Sequence, residues 1–251
     1  MVVICSEIFS KGEQKKYESY FETFPYPLSD FQKHSIKAIA DGNHSLVTAA
    51  TGSGKTISAD FAIQHFVKQG KRVIYTSPIK ALSNQQFYNF SRKYPDISFG
   101  IFTGDIKYNP NANVIFATAE IVANHLLAMD KYDSKTKSEN MQFQMDIKNE
   151  LGCIIMDEVH FILNKERGNV WEKTILLLPH QVQMVMLSAT LDNPFRFADW
   201  CERIGRQKSI TNIKEVHVSS TKSRIVPLTH YSYMTTTESI FQKVKEKSIQ
   251  Q

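Results

Sequence analysis

The chain has 251 residues, 42% of them hydrophobic and 22% charged, with a net charge of +5. That length can bury a full core, the composition is that of a soluble globular chain, and the positive balance suits a polyanionic partner. Cys5, Cys153 and Cys201 are scattered without metal-ligand spacing and no apolar run reaches about 18 residues; a disulfide framework, a zinc site, a signal peptide and a membrane span are not expected, and an intracellular, reducing compartment is.

Residues 1–23 are mostly polar and read as a tail or packing arm. From residue 46 a rhythm sets in. Short apolar runs at 46–49, 72–77, 98–102, 114–117, 153–156 and 183–187 read as strands buried on both faces. Between and around them, amphipathic stretches at 31–40, 56–69, 81–94, 119–129, 168–177 and 194–204 read as helices. Strand alternating with helix predicts an α/β fold, a doubly wound and mostly parallel sheet with helices on both faces. In that architecture ligands bind beyond the carboxyl ends of the strands. The polar KYDSKTKSEN (131–140) reads as an exposed loop. After about Val216, VHVSS and PLTHYSYM are strand-like, and a Lys-rich helix candidate follows.

The first strand runs into AATGSGKT, from Ala49 to Thr56. Gly52 and Gly54 let the backbone of Ala50, Thr51, Gly52, Ser53, Gly54 and Lys55 curl so that N–H groups face phosphate oxygens. A helix beginning at Thr56 adds its positive end. Lys55 can reach the β- and γ-phosphates, and the Thr56 hydroxyl can ligate Mg²⁺. Ala49 stands where the strict pattern has Gly. The fifth strand ends in CIIMDEVH, from Cys153 to His160. Asp157 leaves the strand where a Mg²⁺ on Thr56 would lie, and Glu158 can orient or deprotonate an attacking water. Lys55, Asp157 and Glu158 are therefore the candidate catalytic residues, with ATP and Mg²⁺ as cofactors.

AATGSGKT together with DEVH resembles the superfamily 2 helicases of the DExH class. Within it the text is similar to the superkiller-type RNA helicases that feed the RNA exosome. FPYPLSDFQKHSI (24–36), TSPIKALSNQ (76–85), FTGD (102–105), ATAE (117–120), LNKERGNVWEKTILLLP after the DEVH, and LSAT (187–190) carry the resemblance in order over residues 24–234. It implies a RecA-like domain at 24–215, with 216–251 as terminal strands and linker toward a second RecA-like domain. It implies that Gln32 reads the adenine edge, that Tyr26 stacks on the base, and that His160, Ser188 and Thr190 couple nucleotide to motion. Ser188 and Thr190 would do so by hydrogen bonding to Asp157 or His160. Pro78, Lys80, Ser83, Thr103, Gly104, Thr118 and Glu120 would line a rim for single-stranded RNA, without base reading. His160, Glu166, Arg167 and Trp171 read equally as structural or functional; Arg167 could face a partner domain and is not read as catalytic. The function implied is the ATP-binding half of an RNA helicase motor, with an exosome-like complex as partner and no membrane. A DNA helicase of a related branch, or an ATP-dependent RNA-binding scaffold, are the alternatives. No second strand–helix series and no QxxxR-like arginine motif follow, so a lone half-motor, nearly inactive by itself, is expected.

Overall fold

Strands covered on both faces need mostly apolar side chains in their central positions, and alternate residues then feed two separate cores. A computed structural model, which describes residues 1–131, 145–189, 191–209, 211, 213–221, 229 and 231, follows this rule. In chain order the elements are β1 (Val3–Ile4), α1 (Lys11–Phe21), α2 (Asp30–Ala40), β2 (His44–Ala49), α3 (Thr56–Lys68), β3 (Arg72–Ser77), α4 (Lys80–Lys93), β4 (Phe99–Phe102), β5 (Lys107–Tyr108) and β6 (Val114–Thr118). Then come α5 (Ala119–Lys131), β7 (Leu151–Met156), a 3₁₀ turn (Val159–Leu163), α6 (Gly168–Leu177), β8 (Gln183–Ser188), α7 (Pro194–Lys208) and β9 (Val216–Thr221).

The strands form one sheet in the order β1-β9-β2-β8-β7-β3-β6-β4-β5. Every pairing is parallel except β4 with β5. Leu46, Ile74, Ile115, Ile154 and Met186 point to the core under α5, α6 and α7. Their neighbours Val47, Tyr75, Phe116, Ile155 and Leu187 point to the core under α2, α3 and α4. The doubly wound expectation holds, and all six expected strands and six expected helices form, shifted by a few residues at their ends.

Two regions carry more structure than the sequence reading detailed. Residues 1–23 hold β1 and α1; Phe9, just before α1, packs on Tyr17 and Phe21 of α1 and on His34 of α2, and the Tyr17 hydroxyl donates to the Asp41 carboxylate. The polarity of KGEQKKYESYF concealed a helix that buries only Tyr17. The segment after residue 215 begins with β9, which pairs along all of β2 and so belongs to the same sheet. Of the expected loop at 131–140, residue 131 ends α5 and the rest lies outside the described residues, as do most of PLTHYSYM and the final helix candidate. Among the described residues no helix is long and apolar enough to cross a membrane.

Candidate functional site

The strand order decides which ends meet. β8 lies between β2 and β7, so the phosphate loop, LSAT and DEVH emerge side by side. β3, β6 and β4 follow on the other side of β7, and their ends form a second stretch of the same edge.

At the end of β2, Gly52 and Gly54 take φ of 82° and 88°, a region that only glycine enters freely. The Ser53 amide and hydroxyl both close on the Ala50 carbonyl, at 3.1 and 2.6 Å. Among the described residues, the amides of Thr51, Gly52, Gly54, Lys55 and Thr56 take part in no backbone–backbone bond. A curl of uncommitted N–H groups leading into the N-terminus of a 13-residue helix is an anion cradle.

Gln32 reaches this loop from α2. Its Oε1 accepts the Ser29 amide at 2.9 Å and its Nε2 donates to the Gly54 carbonyl at 3.1 Å. A Cβ on Gly54 would sit 2.7 Å from that Nε2, so the approach needs glycine there. The Gln32 side chain is buried, with one N–H and one lone pair still uncommitted. Tyr26 is 44% exposed, beside Phe24.

Lys55 spans to the acidic strand end: its Nζ lies 2.9 Å from Glu158 Oε1, joining residues 103 apart in sequence. Glu158 is turned back by a left-handed φ of 53°, a conformation that costs a non-glycine residue about 1 kcal/mol. Asp157 is buried; Oδ1 accepts the Glu158 amide and Oδ2 accepts the Tyr75 hydroxyl at 2.7 Å. Burial pushes its carboxyl above the usual range, against the pull of the Tyr75 bond. Thr56 begins α3 and is half-buried.

The hydrogen bond expected of Ser188 does not form. Ser188 Oγ is fully buried and has no hydrogen-bond partner among the described residues. The reason is strand alternation: Ser188 follows Met186 on the face of α5–α7, while Asp157 turns with Tyr75 to the face of α2–α4. Thr76 Oγ1, Glu158 Oε2 and His160 Nδ1 are likewise buried without a bond. His160 Nδ1 stands 3.3 Å from Glu158 Oε2, close enough for charge but misaligned for a hydrogen bond. Thr190 lies outside the described residues.

Along the second stretch, the expected rim residues separate into two groups. Lys80 and Gly104 are exposed and adjacent, and Lys80 Nζ pairs with Asp105 at 2.7 Å. Glu120 is half-exposed and ion-paired with Arg167. Pro78, Ser83, Thr103 and Thr118 are buried. Ser83 Oγ bonds Ser77 Oγ at 2.7 Å, and Thr103 Oγ1 accepts the Ile106 amide. Hydroxyls expected at the surface are thus used inside, because the first turns of α4 and the 103–106 turn are themselves packed. Trp171 is buried in the core.

Sequence reasoning missed Tyr75, whose hydroxyl touches Asp157 from β3. A recess lined by His44, Cys201, Lys208 and Lys214 lies at the opposite ends of the strands and includes none of the candidate site residues. There Lys208 Nζ donates to the carbonyls of Ile175 and Leu178, capping α6, and burial pushes it down to about 8.

This geometry accords with what the chain is similar to. Residues 29–197 match the model of the DEAD/DEAH box helicase family. The ATP-dependent RNA helicase mtr4 of Schizosaccharomyces pombe is 38% identical over 226 residues, 90% of this chain and 18% of that protein. The antiviral helicase SKI2 of Saccharomyces cerevisiae is 38% identical over 206 residues, 82% of this chain and 14% of its own length. The chain thus spans a fifth or less of the curated relatives it matches. Among solved structures, Mycobacterium smegmatis helicase Lhr bound to ssDNA and AMP-PNP superposes with a TM-score of 0.54 at 24% identity, covering 86% of this chain and 28% of that one. That likeness speaks for the RecA-like helicase fold.

Proposed function

Because this chain belongs to the DEAD/DEAH box helicase family, we propose that it is the ATP-binding lobe of an ATP-dependent RNA helicase motor. The observation that carries this reading is the Lys55–Glu158 pair, which brings phosphate loop and acidic strand end together over a cradle of uncommitted amides. The residues fit Mg²⁺-ATP. The loop amides and Lys55 would hold the phosphates, Thr56 and Asp157 would hold Mg²⁺, and Gln32 would spend its remaining N–H and lone pair on the base. The metal would supply positive charge at the transferred phosphoryl group. For Lys55 to serve, its bond to Glu158 has to open. Glu158 is then released to orient a water and take its proton. RNA is preferred over DNA because relatives near 38% identity are named RNA helicases.

Lys80, Gly104 and the backbone at the ends of β3, β4 and β6 would track RNA phosphate and sugar without reading bases. An exosome-like complex is the partner class that relatives named exosome or superkiller suggest. Turnover would require a second RecA-like lobe to complete the charge around the γ-phosphate, a contribution of about 10³–10⁵ in rate for an arginine finger. The test is ATP hydrolysis with and without RNA, by this chain alone and with a second lobe supplied. Weak nucleotide-dependent binding with hydrolysis near background alone, and RNA-stimulated turnover lost in Glu158→Gln when both lobes are present, is expected. Efficient RNA-stimulated hydrolysis by the chain alone would overturn the half-motor reading.

A further inference from the structure

Tyr75 immediately precedes the TSPIKALSNQ stretch and is fully buried on β3. Its ring stacks on Phe116 of β6, centroids 4.9 Å apart at 28°, and lies 5.8 Å from Phe90 of α4. Packing of that kind asks only for an aromatic ring, and phenylalanine would satisfy it. A buried hydroxyl has to be explained by its bond, since burying it unbonded is costly. Its hydroxyl donates to Asp157 Oδ2, at 2.7 Å. The other carboxylate oxygen accepts the neighbouring Glu158 amide, so the Tyr75 bond is the one that ties the Asp157 side chain to a different strand. The backbone repeats the tie: the Asp157 amide donates to the Thr76 carbonyl at 2.9 Å.

We propose that Tyr75 is a positioning residue for Asp157, fixing the rotamer in which the carboxylate faces Mg²⁺. The inference rests on the reading of Asp157 as a metal ligand. Because β3 leads directly to Pro78 and Lys80, Tyr75 also ties the metal-holding strand end to the nucleic-acid rim. The aromatic rings of β6 and α4 keep the hydroxyl in place, as an outer partner keeps a metal ligand oriented.

The experiment is calorimetric titration of ADP into the full 251-residue chain at rising Mg²⁺ concentration. It compares wild type, Tyr75→Phe, Asp157→Asn and the double variant. In Tyr75→Phe, ADP affinity without metal stays at the wild-type value, while the Mg²⁺ concentration for half-maximal tightening rises about tenfold or more. Asp157→Asn removes most of the Mg²⁺ dependence, and adding Tyr75→Phe changes nothing further. A Tyr75→Phe chain with wild-type Mg²⁺ dependence, or losses that add in the double variant, overturns the positioning role while leaving Asp157 as ligand. Full Mg²⁺ dependence in Asp157→Asn overturns the ligand reading itself, and the proposal with it. If Tyr75→Phe does not fold, Phe116→Leu decides: it keeps the hydroxyl but loosens the platform. A smaller rise in the Mg²⁺ requirement supports the proposal, and none overturns it.

Discussion

The two stretches of the sheet edge are built from similar strands and end differently. At β2, β8 and β7 the candidate groups are drawn inward and toward one another: Gln32 onto Gly54, Lys55 onto Glu158, Asp157 onto Tyr75. At β3, β6 and β4 the side chains in the motif positions are largely consumed by local packing, and Lys80 with Gly104 is what reaches the surface. A compact, highly charged ligand needs preorganised side chains in a desolvated place. A repeating backbone that must be gripped and released needs little beyond amides and a few charges. The contrast matches a nucleotide on one side and a sequence-independent strand on the other.

Acid should strike both stretches together, and with the largest effect. Burial holds the His44 imidazole, at the start of β2, down to about 3, and that of His125, on α5 after β6, down to about 4. In the unfolded chain both take up a proton near the usual pKa of about 6.5. Between there and their folded values the unfolded state binds more protons, so stability falls as the pH falls. Each contributes up to about 1.4 kcal/mol per pH unit. Chemical denaturation at pH 7 and pH 5 is expected to show a loss of several kcal/mol. It should be smaller in His44→Asn, which keeps an acceptor for the Met184 amide that His44 Nδ1 receives at 2.9 Å. Equal losses in the two proteins would remove His44 as a cause.

The phosphate side is sharpened by two opposite substitutions. Lys55→Ala removes a charge-assisted contact to phosphate, about 1.5–3 kcal/mol, and should weaken Mg-ADP accordingly. Glu158→Gln removes the partner that holds Lys55 in the free protein, and should bind Mg-ADP as tightly as wild type or more so. Calorimetry on both would decide it, and a parallel loss in the two variants would contradict the competition between Glu158 and phosphate. Gln32→Ala comes next. It should flatten a preference for ATP over GTP, worth about 1–3 kcal/mol. A wild type that binds both nucleotides equally would leave Gln32 as a helix–loop strut only.

How much of this was legible in the sequence depends on distance along the chain. The six central strands read clearly because covering both faces makes their central residues mostly apolar. β1 and β5 did not, since two-residue strands carry no pattern. The phosphate loop is local, so Gly52, Gly54 and Lys55 could be placed from their spacing. The Tyr75–Asp157 bond was invisible because it depends on β3 lying beside β7, 82 residues apart in sequence. The expected Ser188 bond failed on a parity of two: a strand end one residue longer or shorter turns its side chain to the other face.

The rim offers the smallest effect and the cleanest discrimination. Lys80 and Ser83 stand three residues apart in the same motif, yet Lys80 is exposed and Ser83 is buried against Ser77. The ion pair of Lys80 with Asp105 is on the surface and adds little stability. Lys80→Ala should therefore leave the unfolding midpoint nearly unchanged. If Lys80 turns to an RNA phosphate, losing it should lower the slope of log affinity against log salt by about 0.7, the value for one contact on a single strand. Ser83→Ala should behave in the opposite way. It removes the bond to the Ser77 hydroxyl, which keeps only its longer bond to the Ile79 carbonyl at 3.3 Å, and costs about 1 kcal/mol of stability, but it removes no group that RNA can reach. Salt titrations of oligoribonucleotide binding, with unfolding curves on the same samples, separate the two. Should Ser83→Ala flatten the salt slope and Lys80→Ala leave it alone, the hydroxyl must leave Ser77 when RNA binds. The rim would then be as preorganised around side chains as the phosphate side, and the contrast between the two stretches would be lost.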